Sequence, residues 1–227
     1  LYAVIVVESA AKHSAQRAEL LRTEVVEALE YACAHDFYYF GISIGTYAAG
    51  AVTELVGRNE EGKTLSRETV FAVLSRVECW FDETSFLSKY TPEKTSIDLS
   101  RVATMAVSDT NKRLMLEFDG VVELLVKFLL VGSPRRGEKG GDALQEQAAG
   151  LLLTPSLVEP WAEALRAQGG GSMSAGDALR GVVSDGSATE GARQRAKQAL
   201  FQLAPPPPPP SSSASKPRPR AARPSRG

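Results

Sequence analysis

An alanine followed four residues later by a branched apolar residue recurs five times along the chain, at intervals of 48, 52, 45 and 48 residues. A four-residue spacing places both members on one face of a helix, where alanine lets a neighbouring helix approach closely. The five pairs are Ala3/Val7, Ala51/Leu55, Ala103/Val107, Ala148/Leu152 and Ala196/Leu200. A repeat of this length predicts a helical array in which each unit stacks against the next.

A second pattern recurs at the same interval as two of these pairs. It is an apolar stripe with the i, i+3, i+4, i+7 spacing of a helix buried along one side. Its two copies are offset by 52 residues: Val70, Val73, Leu74, Val77 and Val122, Leu125, Val126, Leu129. Similar stripes are formed by Val25, Ala28, Leu29, Ala32 and by Leu179, Val182, Val183. The best β-like run, residues 37–44, stands alone. The sequence therefore predicts an all-α body, and its interrupting glycines and prolines exclude one long coiled coil.

The composition changes sharply near Leu203. Residues 1–203 hold 21 basic and 27 acidic side chains, whereas residues 204–227 hold five basic side chains, no acids and nine of the thirteen prolines. Proline fixes φ and removes a backbone donor, so the run from Pro205 to Pro210 predicts polyproline II followed by a disordered basic tail. We expect one helical domain over 1–203 and a disordered tail over 204–227.

Several segments resemble armadillo repeats. Residues 109–125 are similar to the junction where a third helix ends, a short first helix follows and a glycine opens the second helix. Residues 48–63 resemble the same junction one repeat earlier, and residues 145–153 and 191–203 are similar to third helices. The resemblance covers about four units over 1–203, with loop insertions at 132–142 and 168–176. The chain begins with Leu1, part-way through a third helix, so we expect a fragment or a processed product.

The resemblance implies a right-handed α-solenoid of helix triplets whose third helices line a concave groove. Import receptors of this family carry a Trp and, four residues on, an Asn in each third helix, and these hold a basic peptide. The aligned pairs here are Thr53/Gly57, Met105/Asp109, Gly150/Thr154 and Gln198/Gln202, and none is Trp/Asn. The implied function is a non-enzymatic scaffold that binds a protein segment. Its candidate groove residues are Thr53, Met105, Asp109, Thr154, Gln198 and Gln202.

A phosphate-loop pattern provides the alternative function. Gly57, four further residues, and then Gly62, Lys63 and Thr64 match the spacing of a nucleotide-binding loop, in which Lys63 would neutralise phosphates and Thr64 would bind Mg²⁺. The pattern requires a buried strand before the loop, but residues 47–56 have helical spacing. Two glutamates, at 60 and 61, would also face the anionic phosphates. A nucleotide-binding protein is therefore kept as the alternative, although both the helical spacing before the loop and the two glutamates count against it.

The remaining chemistry-bearing residues favour structural roles. Cys33, His35, Asp36 and Cys79 do not have the paired spacing of a zinc site, so we predict no metal and no cofactor. Aromatic residues at 37–40, with Trp80, Phe81 and Phe86, are interpreted as core between repeats. The net charge of −6 over residues 1–203 disfavours nucleic-acid binding by the helical domain.

The tail adds possible partners of its own. The run from Pro205 to Pro210 could bind an SH3, WW or profilin-type domain, and the basic residues that follow could contact nucleic acid weakly. No apolar run reaches the roughly 18 residues of a membrane span. With no targeting signal in view, we expect a cytoplasmic or nuclear protein that is not an enzyme.

Overall fold

The computed structural model describes residues 1–35, 38–39, 42–58, 64–81, 92–130, 138–156, 159–167 and 173–204. Within these ranges the chain is all-α apart from one short antiparallel pairing of β1 (Tyr38–Tyr39) with β2 (Ile42–Ser43). The helices in chain order are α1 (Tyr2–Ala11), α2 (Ser14–Leu20), α3 (Val25–His35), α4 (Ile44–Val56), α5 (Arg67–Glu78), α6 (Pro92–Met105), α7 (Asp109–Leu116), α8 (Val121–Lys127), α9 (Gly141–Ser156), α10 (Glu159–Ala167), α11 (Ala175–Ser184) and α12 (Glu190–Leu203).

Hydroxyl side chains begin five of these helices. Ser43, Ser66, Ser108, Ser174 and Thr189 each accept a hydrogen bond from the backbone amide three residues later, at 3.0–3.4 Å. Such N-caps satisfy an amide that would otherwise lack a partner in the first turn. The helix α8 begins differently, because Gly120 precedes it with φ of 72°, a conformation that favours glycine.

The helices pack in a regular order. Helix α1 packs against α4, α4 against α6, α6 against α9, and α9 against α12. A second set of contacts joins α3 to α5 and α8 to α11, and a third joins α5 and α10 to α7. The two predicted stripes of α5 and α8 face this interior: all their residues are buried except Val122, which is half-buried.

Two buried hydrogen bonds join helices that are distant in sequence. The amide nitrogen Nδ2 of Asn111, a fully buried residue at the start of α7, donates to the carbonyl oxygen of Gly57 at the end of α4 at 2.7 Å. The indole Nε1 of Trp161 in α10, also fully buried, donates to the carbonyl oxygen of Lys112 in α7 at 2.8 Å. The Gly57 carbonyl lies just past the end of α4, where the helix offers it no partner, whereas the Lys112 carbonyl is inside α7.

A buried charge network crosses the first helices of the stack. The guanidinium of Arg101 in α6 contacts Glu8 of α1 and donates to Oδ1 of Asp98 at 2.6 Å. The other oxygen of Asp98 accepts from Nε of Arg76 in α5 at 2.8 Å. Arg101 reaches Glu8 over Gly50 of α4, where a Cβ would lie 2.7 Å from the guanidinium carbon. The absence of a side chain at Gly50 therefore makes the network possible.

One predicted apolar pair does not face the core, and a second faces it only through Val7. Ala103 and Val107 are exposed, and α6 instead buries Leu99, Val102, Met105 and Ala106 together with Asp98 and Arg101. Ala3 is also exposed, because α1 turns Glu8 and Ala11 inward. Ala28 is exposed as well, while Val26 and Leu29 are buried. In α1 and α6 the buried ionic side chains displace the apolar pattern from the face that the sequence predicted.

Two of the aromatic residues that were predicted to lie in the core, Trp80 and Phe81, pack together with Phe128. Trp80 stacks on Phe128 with ring centroids 5.2 Å apart, and Phe81 meets the same ring edge-on at 4.5 Å. The predicted aromatic residues Phe37, Phe40 and Phe86 lie outside the described residues. So do most of the two predicted loops, at 131–137 and 168–172, although Gly141 and Asp142 belong to α9. Helix α12 ends at Leu203, and residues 205–227 lie outside the described ranges.

Candidate functional site

Three helices that follow one another in the packing order, α6, α9 and α12, enclose a cleft of about 370 Å³. We name it the α6–α9–α12 cleft. Its lining residues are Leu99, Ser100, Ala103, Gln147, Gly150, Leu151, Leu153, Thr154, Arg195 and Gln198. The volume falls within the range typical of ligand sites, roughly 300–1,000 Å³.

Arg195 is the charged residue of this lining, and Gly150 allows it to lie across α9. A Cβ on Gly150 would be 3.0 Å from Nη1 of Arg195. The guanidinium lies 3.3 Å from Oε1 of Glu146 and donates to the Glu146 carbonyl oxygen at the same distance, with 44% of its side chain exposed. The other carboxylate oxygen, Oε2, accepts from the hydroxyl of Thr189 at 2.9 Å. Glu146 is thus shared between Arg195 and the N-cap of α12.

Amide side chains supply further polar groups. The Oε1 atom of Gln147 is buried and has no hydrogen-bond partner among the described residues. Gln198 is exposed and makes no hydrogen bond within the described part of the chain. By contrast, the hydroxyls of Ser100 and Thr154 donate back to their own helices, to the carbonyl oxygens of Ile97 and Gly150. The two glutamines are therefore the lining residues best placed to bind an incoming backbone.

The α6 side of the cleft is apolar. Leu99 and Leu151 are buried at its base, and Ala103 is exposed at its wall. Ile97 is 48% exposed and, by helical spacing, shares the face of Ser100 and Ala103, while Val107 is 56% exposed in the turn after α6. Aliphatic surface therefore faces solvent along and just beyond α6.

The structure separates the six predicted groove residues. Thr154 and Gln198 line the cleft, and Gln202 is exposed one turn beyond Gln198. Thr53 and Met105 are fully buried, and the Thr53 hydroxyl donates to the Ala49 carbonyl at 2.7 Å, so neither is available to a partner. The prediction for these two positions was wrong because their helices bury the predicted face.

Asp109 lies elsewhere, in the first turn of α7. Its carboxylate accepts from Nζ of Lys112 at 2.8 Å, and this hydrogen bond and charge hold the pKa of Asp109 below its ordinary value. The residue is exposed but does not line the α6–α9–α12 cleft. Any role in partner binding would be outside that cleft.

Sequence reasoning missed Gln147 and Arg195. Each stands three residues before a position that was aligned to the groove, Gly150 and Gln198 respectively. Residues three apart share a helix face, so extending each aligned position by one turn would have found both.

The predicted phosphate loop lacks its structural context. Gly57 is the C-cap of α4, a helix, where a nucleotide loop would follow a strand. Thr64 is exposed and precedes the helix that begins after Ser66, while Gly62 and Lys63 lie outside the described residues. The carbonyl of Gly57 is moreover occupied by Asn111.

The cysteine–histidine cluster does not converge in the described part of the chain. No group of three His, Cys, Asp or Glu side chains there could hold a metal ion, and Asp36 lies outside it. Burial raises the pKa of the Cys33 thiol to about 11, partly offset by a hydrogen bond with Thr69. His35 stacks on Tyr31 with ring centroids 3.9 Å apart. These contacts are those of structural residues.

A second cavity, of about 430 Å³, lies where α10, α11 and the end of α12 meet. Arg166 and Arg180 line it, but each is already paired with a carboxylate, Glu159 at 2.9 Å and Asp177 at 2.7 Å. Arg195 is paired in the same way, but among the described residues the lining of this second cavity contains no amide side chain.

No family model, curated protein or solved structure matches this chain. Within the described residues, no helix combines the length and apolar character that crossing a bilayer would require.

Proposed function

We propose that the chain is a non-enzymatic protein-interaction scaffold that holds a partner's polypeptide segment in the α6–α9–α12 cleft of an armadillo-like solenoid. The packing order α1, α4, α6, α9, α12 supports the solenoid, because these are the helices that the sequence assigns as third helices. Pairing of α7 with α10 and of α8 with α11 supports equivalent first and second helices in two successive repeats. A cytoplasmic or nuclear location remains part of the proposal.

One observation supports the choice of this cleft as the binding site. The cleft is lined by three helices, α6, α9 and α12, and contains a buried amide oxygen, Oε1 of Gln147, with no hydrogen-bond partner among the described residues. A buried polar atom without a partner costs free energy, and an N–H donor could recover it if the half-buried Gln147 side chain turned its oxygen toward the cleft. An extended peptide offers such donors at regular spacing, as well as side chains for the aliphatic wall.

Selection of random dodecapeptides displayed on phage, with the full chain as bait, tests this proposal. Ala103→Trp fills the cleft from an exposed position and should abolish binding of the selected peptides. Gly181→Trp, on the exposed face of α11 where a Cβ meets nothing within 4 Å, is the matched control and should bind normally. Peptides that bind all three proteins equally would show that the cleft is not the binding site.

A further inference from the structure

We infer that the segment bound in the α6–α9–α12 cleft carries a carboxylate next to aliphatic side chains. This inference rests on the proposed function and specifies the chemistry of the partner. It follows from the charge, the unpaired amide oxygen and the apolar wall of the cleft, taken together.

The charge of the lining is the first argument. Among the described residues that line the cleft, Arg195 is the single charged one and none is acidic. Its nearest carboxylate, Glu146, is outside the lining, is contacted at 3.3 Å and also accepts the Thr189 hydroxyl at 2.9 Å. The Arg195 guanidinium has five N–H donors, so it retains donors for a second carboxylate.

Gly150 leaves room for this arginine beside α9. Any larger residue would meet the guanidinium at about 3.0 Å, so the bare helix surface at Gly150 gives Arg195 its path across α9. A planar guanidinium is suited to bidentate pairing with a carboxylate. A lysine or arginine of the partner at the same place would instead meet like charge.

The remaining lining residues define what adjoins the carboxylate. Gln198 is exposed and can both donate to and accept from an extended chain, and the Gln147 oxygen could accept a backbone N–H if its side chain turned toward the cleft. On the opposite side Ala103, with Ile97 and Val107 beyond it, offers aliphatic contact. The matching segment is an extended peptide with an acidic residue beside one or two aliphatic residues.

The net charge of −6 over residues 1–203 opposes an acidic partner at long range. Mobile ions screen such interactions beyond about 8 Å at physiological ionic strength. Contacts inside the cleft are closer than this. We therefore expect close contact with Arg195, rather than the net charge of the domain, to determine whether the cleft prefers an acidic or a basic peptide.

The test uses the dodecapeptides that bind the full chain but not Ala103→Trp. Their sequences should be enriched in Asp or Glu beside Leu, Ile or Val. The tightest binder is then synthesised with its carboxylate intact or as the amide, and its dissociation constant is measured by fluorescence polarisation. Arg195→Gln should weaken the acidic peptide about tenfold but should hardly change the affinity of the amide peptide. Arg195→Lys should restore part of the loss.

Arg22→Gln is the control, since Arg22 is exposed and pairs with Glu19 on α2. It should leave both affinities unchanged. Cleft-dependent peptides rich in Lys or Arg, or acidic peptides unaffected by Arg195→Gln, would overturn the inference and leave the proposed function standing. Absence of any peptide sensitive to Ala103→Trp would overturn both.

Discussion

The guanidinium of Arg101 lies directly over the backbone of Gly50, so that a Cβ on Gly50 would be 2.7 Å from the guanidinium carbon. Arg101 cannot move aside without cost, because Asp98 and Glu8 hold it in a site where only 6% of its side chain is exposed. Breaking a buried ion pair by displacing one partner costs more than the pair's own net contribution to stability.

Gly50→Ala should therefore lower the free energy of unfolding by about 2–4 kcal/mol. This is opposite to the usual effect of replacing glycine inside a helix. Urea unfolding followed by circular dichroism measures the change. Gly181→Ala in α11, where a Cβ meets nothing, is the control and should stabilise the chain by about 0.5–1 kcal/mol. Equal effects of the two substitutions would contradict the close approach at Gly50.

Asn111→Ala should destabilise the chain by about 1–3 kcal/mol, because it leaves the buried carbonyl of Gly57 without its donor. The same unfolding measurement applies. The neighbouring exposed Thr110 provides the comparison, and Thr110→Ala should change stability by less than about 0.5 kcal/mol. If both variants unfold alike, the link between α4 and α7 is absent.

Trp161→Phe should cost about 2–4 kcal/mol, since the variant loses the hydrogen bond to the Lys112 carbonyl and leaves a void in the core. The chain has two tryptophans, so Trp80 remains as a fluorescent reporter of unfolding. Phe201→Ala, at a position 78% exposed, is expected to be nearly neutral. A neutral Trp161→Phe would show that α10 and α7 are not joined through the indole.

Cys33 should react slowly with iodoacetamide in the native protein. With its pKa raised to about 11, roughly one thiol in a thousand is ionised at pH 8, and the thiolate is the reactive form. The rate should rise about tenfold for each pH unit between 8 and 10, because the proton leaves only as the pH approaches 11. Mass spectrometry of the Cys33 peptide measures this rate. The same chain in denaturant should react far faster, and equal rates would refute the effect of burial.

Mg²⁺ and ATP should produce no binding heat with the full chain, because the segment after Gly57 follows a helix. Lys63→Ala is the comparison, and the two titrations should be indistinguishable. Micromolar binding that disappears in Lys63→Ala would support the nucleotide-binding alternative instead.

Apolar periodicity predicted some helix faces correctly and others wrongly, for one physical reason. The stripes of α5 and α8 consist of aliphatic residues throughout, and their predicted faces are the buried ones. In α1 and α6 the inward faces include Glu8, Asp98 and Arg101, which a pattern of apolar residues assigns to solvent. Partners 93 residues apart in sequence make that burial possible, and no local pattern reveals them.

The residues of the candidate site, like the helix faces, could be predicted only in part from the sequence. Thr154 and Gln198, which were aligned with armadillo third helices, line the cleft, whereas Met105 is buried on the inward face of α6. The unpaired oxygen of Gln147 depends on how α6 and α9 pack, so spacing alone could suggest the residue but not its lack of a partner. The five Ser and Thr caps, by contrast, are visible in the sequence as hydroxyl residues just before helical stripes.

The contact between Glu8 and Arg101 joins α1 to α6 across α4, and so couples elements that are not immediate neighbours in the packing order. In arrays whose units interact only with the next unit, an end can fray without disturbing what lies beyond. If α1 unfolded here, Arg101 of α6 would lose the carboxylate of Glu8, and α4 would lose the helix that packs against it. The amino-terminal half of the domain should therefore open as one cooperative block, with amide hydrogens of α1, α4 and α6 exchanging at a common rate.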